Sequence, residues 1–164
     1  MTRSSAREIA IHIVYELSFG TDRAEEVLDR ELTRERFQVL EAESELYRQF
    51  PNEKQVQYIR DLVKGVFAHG AELDDYIARY AKGWSFARIP RMAAAIMRTA
   101  MYEVLYMPDI PNAAAINEAI EITKSYEPKE VVSFVNGILG SFVRAEFQDT
   151  PPKPERAGME QTEG

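Results

Sequence analysis

The chain has 164 residues, with 27 Asp plus Glu against 20 Lys plus Arg and a formal charge of −7. Its length fits one domain of ~100–200 residues. The absence of cysteine excludes a disulfide framework, an iron–sulfur cluster and a thiol nucleophile. Taken alone, the acidic balance argues against a simple nucleic-acid coat, which would carry a basic excess.

Helical periodicity dominates from end to end, and strand alternation is nearly absent. Ala6, Ile9, Ala10, Ile13 and Leu17 share one stripe of a first helix, with Ser5 and Glu8 as a capping box and Gly20 as its stop. Asp22 is placed to cap the next segment, Arg23 to Arg48. That segment is laced with charge, and its expected buried positions are Val27, Leu28, Leu32, Val39 and Leu46. Pro51-Asn52 breaks the chain, and Asn52 with Gln55 forms a second capping signature. The helix that follows buries Val56, Ile59, Val63 and Val66 or Phe67. Gly70 separates it from a short helix with Leu73, Ile77 and Tyr80.

Gly83-Trp84 reads as a turn and Pro90 as a helix start. Met92 to Met107 is apolar on almost every side, the pattern of a central helix. Pro111 opens a helix expected to bury Ile116, Ala119, Ile120 and Thr123. Pro128 opens the last one, with Val131, Phe134, Val135, Ile138, Leu139, Phe142 and Val143. Gly137 and Gly140 each cost that helix ~1 kcal/mol relative to Ala, which suggests close backbone approach by another element. The expected fold is an all-α bundle of about seven helices. Residues 1–147 form the folded domain. Residues 148–164, rich in Pro and charge, are expected to be a disordered tail. No signal peptide or membrane span is legible, so the chain is read as cytosolic.

No catalytic constellation assembles. His12 and His69 lie on different helices without metal-ligand spacing. There is no P-loop, no GxGxxG and no serine nucleophile elbow, and Asp74 and Asp75 are adjacent and face different ways. No metal and no cofactor is expected, and the residues point to a binding module rather than an enzyme.

Several segments together resemble the NusB family of bacterial transcription antitermination factors. They are Ala6-Arg7-Glu8, Ala10 and Tyr15; Arg60-Asp61-Leu62-Val63 with Gly65-Val66 and Leu73-Asp74; Trp84, Arg88, Ile96-Met97-Arg98, Ala100 and Tyr102-Glu103; Ile110-Pro111, Ile116-Asn117-Glu118-Ala119-Ile120-Glu121 and Lys124; and Phe134-Val135-Asn136-Gly137-Ile138-Leu139. The resemblance covers roughly residues 3 to 145 and leaves the Arg23 to Arg48 segment unexplained. It implies two packed helical subdomains, no catalysis, and binding of boxA-type single-stranded ribosomal RNA leader. It also implies joint action with NusE, a small-subunit ribosomal protein, in the RNA polymerase antitermination complex. Monomer and homodimer both stay open.

Single-stranded RNA recognition needs cations for phosphates and flat side chains for unstacked bases. Arg3 and Arg7, four apart, share a face of the first helix, and Tyr15 is turned ~80° from Arg7. Periodicity alone puts Tyr15 at a core edge and Phe134 in the core; the resemblance brings both toward RNA, with Lys129 just ahead of Phe134 and Tyr80 as a further stacking ring. Arg98, a lone cation in an apolar helix, either snorkels to the surface or reaches a phosphate or carboxylate. Ala93, Tyr102 and Glu103 fall on the partner-facing part of the resemblance, Ala93 where an acid is common. Asn117 and Glu118, with Asn136 and Gly137, are expected to be structural, their amides fixing helix register.

Ser4, Ser5 and Ser133 stand where relatives often carry basic residues. RNA binding by the chain alone is therefore expected to be weak, since each lost phosphate contact lowers affinity. The alternatives are a non-catalytic protein scaffold and a NusB-like accessory domain of a ribosomal RNA methyltransferase. For the latter, no Gly-rich cofactor loop is found. The acids cluster, nine against four arginines between Asp22 and Glu45. A net charge of −7 therefore leaves room for a local cationic site and suits a basic partner.

Overall fold

The computed structural model describes residues 1–147, so the expectation for 148–164 lies outside the described residues. Eight α-helices run in order: α1 (Arg3–Leu17), α2 (Ala24–Glu31), α3 (Arg34–Glu41), α4 (Glu53–Ala68), α5 (Gly70–Tyr80), α6 (Arg91–Tyr106), α7 (Asn112–Tyr126) and α8 (Lys129–Phe147). Short 3-10 turns cover Glu45–Tyr47 and Phe86–Arg88. Among the described residues there is no extended strand. The helix count exceeds the expected seven because the 23–48 segment holds two helices. Leu32 leaves helical geometry, and Thr33 caps α3 by accepting from the Arg36 N–H at 3.1 Å.

Among the described residues the chain divides into two compact units, 1–67 and 68–147. In the first, α1 starts one turn earlier than its predicted box: Thr2, not Ser5, supplies the cap, accepting from the Ser5 N–H at 3.0 Å. The predicted stripe of Ala6, Ile9, Ala10, Ile13 and Leu17 is buried, and a second one, Ile11 and Val14, is buried beside it. At the start of α2, Asp22 gives no cap; Arg23 holds that position without a side-chain bond.

The Asn52–Gln55 box forms as expected. The Asn52 N–H donates to Gln55 Oε1 at 3.0 Å, and the Gln55 N–H donates to Asn52 Oδ1 at 2.9 Å. Gln55 Nε2 also donates to the Met1 carbonyl at 2.5 Å, tying the start of α4 to the start of the chain. In α4, Val66 is buried and Phe67 is exposed.

Within the 23–48 segment Val27, Leu28 and Leu32 are buried as predicted, but Val39 is 63% exposed and Leu46 only half-buried. The seven-residue spacing assumed one helix, and the break at Leu32 turns Val39 outward. Phe37 takes the core position instead, packed edge-on against Tyr47 and Phe50. Two helix-to-helix ion pairs register α2 on α4: Asp29 with Arg60 at 2.9 Å and Glu25 with Lys64 at 3.4 Å.

The second unit is organised on α6, which packs against α5, α7 and α8. Ala93 to Met97, Thr99 to Met101, Glu103 and Val104 are all buried, as its all-round apolar pattern requires. In α7 the buried stripe is Ala115, Ala119, Ile122 and Thr123, so Ile116 and Ile120 flank it rather than lead it. In α8 Val131, Val135, Ile138, Leu139 and Phe142 are buried. The glycines there do not mark close approach: a Cβ on Gly137 would meet open space, and one on Gly140 would meet only the Arg144 guanidinium.

Candidate nucleic-acid interface

On α1 the two arginines separate. Arg3 is partly exposed, with its guanidinium carbon 5.0 Å from the centre of the Tyr58 ring. Arg7 is 2% exposed. It stands four and seven residues before Ile11 and Val14, so it shares their buried stripe, which the single-stripe sequence reading missed. The expected open pair of cations is thus one cation. Tyr15 is half-buried and lies edge-on to the exposed Phe19, ring centres 4.8 Å apart.

Arg3 gains other neighbours. It lines a shallow groove with Ala6, Lys54, Gln55 and Tyr58. Neither Lys54 nor Tyr58 was singled out from sequence. The signal available was their i, i+4 spacing in a helix whose start the Asn52–Gln55 box fixes.

In the second unit the turn 82–88 presents Trp84 and Phe86, both more than a third exposed. Gly83 makes the turn with φ of 84°, a left-handed conformation suited to glycine. The Trp84 ring lies 4.3 Å from Phe134 at 31°, so Phe134 is half-buried under an exposed indole instead of sitting in the core. Lys82, Arg88 and Lys129 are exposed, and among the described residues none has a carboxylate within ion-pair distance.

Other predicted RNA-binding residues are already engaged within this unit. Arg98 Nε donates to Asp74 Oδ1 at 2.6 Å, and its guanidinium carbon lies 5.8 Å from the Phe86 ring centre. Of the alternatives open from sequence, it reaches a carboxylate. The Tyr80 hydroxyl donates to Glu146, which also pairs with Arg79 at 2.9 Å. That bond to Glu146 pushes the Tyr80 phenol above its ordinary range, so it stays a neutral donor.

The partner-facing expectations change most. Ala93 and Glu103 are both 0% exposed, because α6 is central to its unit. Their side chains do not reach the surface. Tyr102 does so in part, stacked with Tyr106 at 5.1 Å and near His69 at 5.8 Å. The exposed Tyr106 donates to Glu72 at 2.6 Å, which pushes its phenol up to about 12. Asn117 and Asn136 are exposed and Glu118 half-buried, so the two amides are not the buried register pins expected. Among the described residues no group of three or more His, Asp or Glu is placed to hold a metal ion, and no helix is long and apolar enough to cross a membrane.

The model of the NusB family matches residues 4–144. The chain belongs to the NusB family. The transcription antitermination protein NusB of Acetivibrio thermocellus is 37% identical over 156 residues, covering 95% of this chain and 98% of its own. That of Carboxydothermus hydrogenoformans is 37% identical over 140 residues, covering 85% and 91%. Among solved structures, Thermotoga maritima NusB superposes with a TM-score of 0.66 at 28% identity, covering 88% of this chain and 92% of that one. A chain from the crystal structure of the antitermination factors NusB and NusE in complex with dsRNA has the same fold, with a TM-score of 0.68 at 20% identity. The all-helical NusB fold expected from sequence is thereby established, with eight α-helices among the described residues.

Proposed function

We propose that this chain is a transcription antitermination factor that binds boxA-type single-stranded RNA together with NusE, in the cytoplasm and without catalysis. The observation that carries the reading is where the unpaired cations lie. Of the eighteen described arginines and lysines, Arg30, Arg36, Arg48, Arg60, Lys64, Arg79, Arg98 and Lys124 pair with a carboxylate. Arg3 and Lys54 have none and share a groove with Tyr58. Lys82, Arg88 and Lys129 have none and lie along the chain beside Trp84 and Phe134. Cations without a carboxylate partner, set beside aromatic rings, are what single-stranded RNA requires.

Few such cations remain, since Arg7 and Arg98 are engaged within the fold. That supports weak RNA binding by the chain alone and tighter binding by the two-protein complex. Tyr102, half-buried beside the exposed Tyr106, is the member of the expected NusE-facing set that reaches the surface. Titration of boxA-type RNA with and without NusE tests the reading. Binding enhanced by NusE is expected; no binding even with NusE present overturns it and leaves the scaffold alternative.

A further inference from the structure

We propose that the groove between α1 and α4 is a single-nucleotide seat on the RNA path, in which Arg3 braced by Tyr58 offers the plane for a base and Lys54 takes the adjoining phosphate. The inference rests on the RNA-binding reading and adds Lys54 and Tyr58 to it.

The geometry has three parts. First, the guanidinium of Arg3 lies over the Tyr58 ring and lines the groove, so the ring braces a planar cation at the place where a base would stack. Second, Lys54 stands one helical turn before Tyr58 on the same face of α4, exposed and without a carboxylate partner. Third, the floor is built and fixed. Ala6 is buried, and Gln55 is held by Asn52 and by the Met1 carbonyl, so its amide is already engaged. A floor without a free amide reads stacking and charge rather than base edges, so the seat tolerates any base.

The charge pattern along α4 points to the same occupant. Arg60 and Lys64, farther along the helix, are neutralised by Asp29 and Glu25 of α2. Lys54, in the first turn, keeps its charge. The groove is a positive spot on an acidic chain, and a basic protein partner would be repelled from it. A flat anionic ligand, a nucleotide of single-stranded RNA, fits it.

The test uses the full chain, saturating NusE and a labelled single-stranded boxA-type oligonucleotide, titrated over a range of salt. Lys54→Gln is expected to weaken binding roughly fivefold at low salt and to reduce the slope of log K against log salt by about 0.7, the loss of one phosphate contact. Tyr58→Leu is expected to cost roughly tenfold by unseating Arg3, with Tyr58→Phe close to wild type. Lys64→Gln, which removes a cation already paired with Glu25, is the matched control and leaves the slope unchanged. Circular dichroism melts establish that each variant is folded.

If Lys54→Gln and Tyr58→Leu bind RNA with wild-type affinity and slope, the seat is refuted while RNA binding by the chain stands. If Lys54→Gln instead weakens NusE capture and leaves RNA untouched, the groove is a protein contact and the proposal falls. If the wild-type chain binds no RNA with NusE present, the underlying reading fails and takes the seat with it.

Discussion

The two units solve the same problem, enclosing helices around a core, with different materials. The unit from Ala68 onward is centred on one nearly all-apolar helix, α6, whose burial fixes its neighbours. The first unit adds a charged segment, α2 and α3, held by a few apolar side chains, an aromatic cluster at Phe37, Tyr47 and Phe50, and ion pairs onto α4. The difference teaches where positive charge is left over. A unit that seats its peripheral helices with carboxylates consumes arginines and lysines in doing so. In the first unit Arg60 and Lys64 are consumed in this way, while Arg3 and Lys54 are not.

The largest expected effect tests the apolar unit. Phe142 is fully buried and packs edge-on with Tyr76 and Phe147. Phe142→Ala should cost about 3–5 kcal/mol in a denaturant titration, from lost transfer energy and a cavity. A loss below about 1 kcal/mol would mean that α8 is not anchored as described.

Next comes the arginine that the first unit buries. Arg7→Ala should lower stability by about 2–3 kcal/mol through lost packing of its stem and an abandoned partner. Its RNA affinity, measured on the folded variant, should stay near wild type. A selective loss of RNA binding with unchanged stability would restore the open arginine pair that the sequence alone suggested.

Gly137 gives a gain instead of a loss. It sits within α8, exposed, with open space where a Cβ would go. Gly137→Ala should raise stability by about 0.5–1 kcal/mol. No gain, or a loss, would show that something approaches that face of the helix.

The smallest effect separates the units by pH. His12 Nδ1 and the Tyr47 hydroxyl share a hydrogen bond at 2.6 Å. Burial holds His12 below its ordinary 6.5, against the opposing pull of Glu8, and burial pushes the Tyr47 phenol up. Both shifts favour the neutral pair. The unfolded chain takes up the histidine proton near 6.5 and the folded chain only at lower pH. This contribution is therefore complete above that value and is lost as pH falls through the lower folded one. In the other unit, burial raises the Glu127 carboxyl, so folding there favours the protonated acid and the sign is reversed. Urea titrations at about pH 7.5 and about pH 5.5 should show that His12→Gln loses less stability on acidification than wild type. Equal losses would remove His12 as a source of the pH dependence.

Periodicity was informative wherever one face of a long helix is buried, as in α1, α4, α6 and α8. It failed where a helix break was hidden. Thr33 is an unremarkable residue in sequence, yet its cap divides 23–48 and sends Val39 to solvent. The site was legible as a list of residue types and less so as a surface. Arg7 looked exposed because one apolar stripe was counted on α1 when there are two. Ala93 and Glu103 looked accessible because the resemblance names positions, while the all-round burial of α6, itself read correctly, already argued that they are inside. Lys54 and Tyr58 were missed because their relevance depends on Arg3, which is distant in sequence and adjacent in space.

The bond from Gln55 to the Met1 carbonyl has a practical consequence for handling the protein. Met1 is almost fully buried, and Arg3 of the groove follows it by two residues. An affinity tag placed ahead of Met1 would have to leave through this packed point, beside the seat whose occupancy is to be measured. An untagged comparison is the proper reference for any binding constant obtained with an amino-terminal fusion.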